Sequence, residues 1–122
     1  MRLTLAVVDW DQPFELEVDL EDDSTSGGVV LSQGKGKHKQ IVARVGRELT
    51  ARELAKTPPE QMLILAAWGM RRLSRWVMFA RAGVVVVLPT SECLVLAKDK
   101  EVHYRLRAVA LELDMYGVSY RV

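Results

Sequence analysis

Phe14-Glu15-Leu16-Glu17-Val18-Asp19-Leu20 is the stretch on which the fold class turns. Apolar and acidic residues alternate through it without a break. Side chains of an extended strand point alternately to its two faces, so Phe14, Leu16, Val18 and Leu20 share one face and Glu15, Glu17 and Asp19 the other. The pattern predicts a strand with one face in a core and the other in water or a polar cleft. Upstream, Arg2 to Val8 is an extended lead-in and Asp11-Gln12-Pro13 a turn. Downstream, Glu21 to Gly28 is a loop rich in Asp, Ser and Gly, and Val29 to Ser32 a short strand. Gln33-Gly34-Lys35-Gly36-Lys37-His38-Lys39-Gln40 forms a basic hairpin tip, and Ile41 to Val45 the next strand. Short connections between these strands predict an antiparallel meander.

The pattern then changes period. Thr50-Ala51-Arg52-Glu53 and Thr57-Pro58-Pro59-Glu60 both fit a capping box, in which a Thr hydroxyl and a Glu carboxylate satisfy each other's helix-end N–H groups. Pro58 sits at the first helical position, where its missing N–H costs nothing. The first box opens a short turn of helix. The second opens a long helix to about Ala82, closed by Gly83, with an apolar surface wide enough to pack across a sheet. Val84 to Leu88 is an uninterrupted apolar run, as in a central strand buried on both faces. Ser91 to Lys98 fits a strand or a short helix equally well. From Glu101, the steps Val102, Leu106, Val109, Leu113, Tyr116 define an amphipathic helix ended by Gly117, and Val118 to Val122 a last strand. The order is β-β-β, long α, β, a short element, α, β: an α/β domain over residues 1–122.

Composition excludes several classes. With 122 residues, 49% hydrophobic and 27% charged, the chain can bury a core without crosslinks. Its single cysteine, Cys93, lies in an apolar stretch and forms no internal disulfide, which fits a reducing, intracellular compartment, cytoplasmic or nuclear. Arg71, Arg72 and Arg75 interrupt the longest apolar stretch, so no membrane partner is expected. The net charge of +1 conceals an asymmetry. Residues 1–23 hold one base and eight acids, net −7. The remainder holds sixteen bases and eight acids, net +8.

Few residues offer chemistry. Asp19 ends the polar face of the first clear strand, and Glu60 lies in the first turn of the long helix. A two-metal nuclease needs several converging carboxylates, yet the central apolar strand ends in Leu88-Pro89, with Glu92 three residues on. Glu60 is accounted for as a cap and Asp19 as part of a solvated strand. There is no phosphate loop, nucleophile elbow or dinucleotide fingerprint. His38 and His103 have no evident partner, and one cysteine with two distant histidines makes no zinc site. No metal or cofactor is expected. The basic tip is the best binding candidate: Lys35, Lys37, His38 and Lys39 between glycines, with Arg44 and Arg47 nearby, can meet phosphates.

Pro13 to Asp19, Gly28-Val29-Val30-Leu31-Ser32-Gln33 and Arg47-Glu48-Leu49-Thr50 resemble the opening of the RNase H-like region of retroviral and LTR-retrotransposon reverse transcriptases. Thr57 to Glu60 with Leu65-Ala66-Ala67 resembles that family's first helix, and Val84 to Pro89 its fourth strand. His103-Tyr104, Asp114 and the final strand resemble the tail of the gammaretroviral connection domain. The resemblance runs from about Leu3 to Val122. It implies an RNase H-like fold, with a mixed five-stranded sheet and a long helix across it. Active members use four acids; Asp19 and Glu60 match the first two, the third falls at or near Pro89, and the fourth lies beyond Val122. The resemblance therefore implies the degenerate, connection-type version, in a viral polymerase or in a domesticated host protein of the kind that also carries an NYN ribonuclease domain. The expected function is a catalytically inactive module that contacts RNA, DNA or an RNA/DNA hybrid. The alternatives are a purely protein-docking or homodimerising domain and a residual Mg²⁺-dependent ribonuclease.

Overall fold

A computed structural model of the chain describes residues 8–23, 25–98 and 106–122. Strands β1 (Phe14–Leu20), β2 (Ser26–Gln33) and β3 (Gln40–Glu48) form the antiparallel meander, longer at β2 and β3 than the hydrophobic runs alone indicate. Helices α1 (Ala51–Leu54), α2 (Pro58–Arg72) and α3 (Ser74–Val77) follow, then β4 (Val84–Val87), α4 (Ser91–Lys98), α5 (Arg107–Met115) and β5 (Ser119–Arg121). The five strands make one mixed sheet in the order β3-β2-β1-β4-β5, with β4 parallel to both β1 and β5.

Both capping boxes form. Thr50 Oγ1 accepts from Glu53 N at 3.2 Å and Glu53 Oε1 accepts from Thr50 N at 2.9 Å. Thr57 and Glu60 make the same reciprocal pair at 3.4 and 3.5 Å. The expected single helix to Ala82 is instead two. It stops at Arg72, and α3 restarts one residue later around buried Leu73 and Val77. No Pro or Gly marks the break; Leu73 leaves helical geometry while its side chain stays in the core. The undecided segment Ser91–Lys98 is a helix, started by Thr90, whose Oγ1 accepts from Cys93 N at 3.3 Å. The expected helix is described only from Leu106; Glu101, Val102, His103 and Tyr104 lie outside the described residues, as does most of the lead-in from Arg2.

The core lies between the sheet and α2. Phe14, Leu16, Val18, Val29, Leu31, Val84 and Val86 meet Leu63, Leu65, Ala66 and Met70, and α4 and α5 pack in turn against α2. Gly69 sets the closest approach: a Cβ there would come within 2.4 Å of Val29 Cγ2. β4 is central as expected, but only one of its faces is fully buried; Val85 and Val87 are half-buried on the other. No helix among the described residues is long and apolar enough to cross a membrane.

Candidate nucleic-acid interface

Gln33 anchors the base of the β2–β3 hairpin. Buried, it donates to Asp9 O at 2.7 Å and Gln12 O at 3.2 Å and accepts from Asp9 N at 2.9 Å, tying the turn before β1 to the sheet. Gly34 then turns the chain at φ +87°, where a Cβ would lie 2.3 Å from His38 O, so only glycine fits. Gly36–His38 forms a single 3₁₀ turn, and Lys35, Lys37 and His38 project into solvent with no ion-pair partner among the described residues.

The other candidates have different fates. Lys39 folds back across the sheet to Glu17, with Glu15 Oε2 4.0 Å away; Arg121 Nη2 holds Glu15 Oε1 at 2.7 Å from the opposite side. The hydrogen bond to Glu17 raises the Lys39 pKa above its ordinary value. Arg44 stands exposed on the same sheet face, opposite Val30. Arg47 points to the α2 face. Its guanidinium donates to both Glu53 oxygens at 2.6 and 2.8 Å and lies 5.0 Å from the Trp68 ring centre. That pairing holds the Glu53 carboxyl down to about 2. Arg47 is therefore committed to the fold, and of these six candidates the exposed ones without an ion-pair partner among the described residues are Lys35, Lys37, His38 and Arg44.

The two acids are not brought together. Asp19 is exposed and shares a face with Glu15 and Glu17, away from α2. Glu60 is buried on α2 and turns back to Thr57, whose hydroxyl donates to its Oε1 at 2.9 Å. Met62, two residues beyond Glu60 on α2, packs instead against α4. Its Sδ lies 3.5 Å from Cys93 Sγ, and Thr90 Oγ1 lies 3.2 Å from the same sulfur. Sequence reading passed over this cluster, because a Met at helical spacing looks like ordinary core. Hard divalent cations require converging oxygen ligands. Among the described residues no three His, Cys, Asp or Glu side chains converge to hold a metal. The thiol of Cys93, the thioether of Met62 and the hydroxyl of Thr90 do not fit a Mg²⁺ pair.

A mixed sheet of this order, with an antiparallel meander, a helix across it and parallel β4 and β5, is the RNase H-like fold. A family profile described as "RNase H-like domain found in reverse transcriptase" matches residues 9–116. The chain belongs to that family. Among solved structures, it is similar to the foamy viral protease-reverse transcriptase dRH in complex with double-stranded DNA. The TM-score is 0.69 at 15% identity, covering 96% of this chain and 20% of that one. The native prototype foamy virus protease-reverse transcriptase gives 0.70 at 12%, covering 96% and 16%. The foamy viral enzyme in complex with dsDNA gives 0.66 at 15%, covering 96% and 24%. This chain thus spans a quarter or less of each. A search of curated proteins finds no match.

Proposed function

We propose that this domain is a catalytically inert RNase H-like module that contacts nucleic acid through the β2–β3 tip. One observation carries the reading. Lys35, Lys37 and His38 are held together in solvent on a turn shaped by Gly34 and Gly36, while the bases elsewhere on the hairpin are either paired internally or, like Arg44, exposed nearby. Cations without local counter-charges are those that can release counterions from a phosphate backbone. The foamy viral enzymes with the same fold were solved with double-stranded DNA, which supports nucleic acid as the ligand class. The inert part is supported by Met62, Thr90 and Cys93, which bring sulfur and hydroxyl groups together rather than carboxylates, and by Glu60 serving as a cap.

The test is a titration with a labelled RNA/DNA hybrid at low and physiological salt. The comparison is a Lys35→Glu/Lys37→Glu variant that leaves the Lys39–Glu17 pair intact. The expected result is binding that weakens steeply with salt, is lost in the variant, and is accompanied by no cleavage in Mg²⁺. Unchanged binding by the variant would remove the tip from the interface. An exposed apolar patch supports protein docking as a second reading. Met78 and Phe79 are 73% and 67% exposed, and Trp10 sits edge-on to Phe79 with ring centres 6.3 Å apart. Absence of hybrid binding at either salt would favour it.

A further inference from the structure

β3 is the long outer strand of the sheet and, among the described residues, pairs only with β2. The phase of its free edge can be read from one hydrogen bond. Leu49 N donates to Thr25 O at 2.8 Å, just past the Ser26↔Glu48 pair. In an antiparallel ladder, such a bond brackets a pair that is not itself hydrogen-bonded. The backbone N–H and C=O of Glu48 therefore point away from β2. By alternation through an unshifted register, so do those of Gly46 and Arg44. Arg47 Nη1 donating to Glu48 O at 3.1 Å agrees with an outward carbonyl.

From this edge we infer that the domain self-associates by pairing β3 with β3 of a second copy, antiparallel, with the two-fold axis at Gly46. Outward groups must face outward groups, so residues 44, 46 and 48 of one copy can meet only their even-numbered counterparts. Charge then chooses among the registers. An axis at Arg44 sets Arg44 against Arg44. An axis at Val45 sets Arg44 against Gly46 and leaves Glu48 facing Val42. An axis at Gly46 places each Arg44 opposite Glu48 of the other copy, twice by symmetry, on the sheet face away from α2. Both side chains are exposed and without an ion-pair partner among the described residues. Gly46 at the axis brings no side chain to the closest approach. The strand contains no proline and no acid or lysine between Gln40 and Arg47, devices that commonly keep an edge from pairing.

Sedimentation of the 122-residue chain across the micromolar range tests this, beside Arg44→Glu, Glu48→Arg and the double swap. A reversible wild-type dimer is expected. Each single reversal should weaken it roughly tenfold or more, because it turns two attractive pairs into repulsive ones, and the swap should restore it. Amide hydrogen exchange of the wild type gives an independent reading. Protection at Arg44, Gly46 and Glu48 should rise with concentration, while Val45, already bonded to β2, should not change. A wild-type chain that stays monomeric, a dimer indifferent to both reversals, or exchange at those amides that ignores concentration would each overturn the inference.

Discussion

Arg47 and Lys39 both stand in a basic stretch of sequence, yet each is bound to an internal acid. Arg47 spans Glu53 and the Trp68 ring; Lys39 crosses the sheet to Glu17. A charge-assisted, two-pronged contact between partly buried groups is stronger than an exposed ion pair. The Glu53 carboxyl falls from 4.5 to about 2, first because Arg47 hydrogen-bonds its charged form. A pKa lowered on folding contributes stability that is fully present above about 4.5 and is lost as pH falls towards about 2. Glu53→Gln should cost about 1–2 kcal/mol at neutral pH and flatten the loss of stability in that acid window. Urea melts at a series of pH values measure both; an unchanged acid slope would place its origin elsewhere.

α2 is the element that organises the domain. Its start was legible, because Thr57, Pro58 and Glu60 are local signals that need no partner to act. Its end was not, because the break at Leu73 answers to burial in the core rather than to a breaker residue. Gly69 has a similar status. In an isolated helix, alanine there would be better by about 1 kcal/mol. Here the added Cβ would meet Val29 Cγ2 at 2.4 Å, inside any tolerable contact. Gly69→Ala should therefore destabilise the fold by about 1–3 kcal/mol. Combining it with Val29→Ala should recover part of that loss in a double-mutant cycle. Additive effects of the two substitutions would show that the helix shifts away from the sheet instead.

At the scale of the whole molecule, the acids and bases divide by position. β1 presents Glu15, Glu17 and Asp19 on the face away from α2, with Lys39 and Arg121 neutralising two of them. The bases left in solvent include Lys35, Lys37 and His38 at the hairpin tip and Arg44 on β3. Asp19 is exposed on the face of β1 away from α2, Glu60 lies on α2 itself, and Met62 meets Cys93 of α4. A ligand that binds only the native state raises the melting temperature. Mg²⁺ at millimolar concentration should therefore leave the melting curve unmoved. A dose-dependent rise would reveal a metal site and count against the inert reading.

The RNase H-like class was indicated by the resemblance; the sequence's own patterning determined the strand alternation of β1, the meander, both capping boxes and the central place of β4. Each is written in local periodicity or in contacts a few residues apart, and physics at that range needs no tertiary context. Only the tertiary structure decided which of the lysines and arginines stay free, that Met62 meets Cys93 of α4, where α2 stops, and which backbone groups of β3 face outward. These depend on contacts between residues distant in the chain, such as Lys39 with Glu17 or Met62 with Cys93. Residue type and spacing do not encode such meetings; the packing of α2 on the sheet and the register of its strands do.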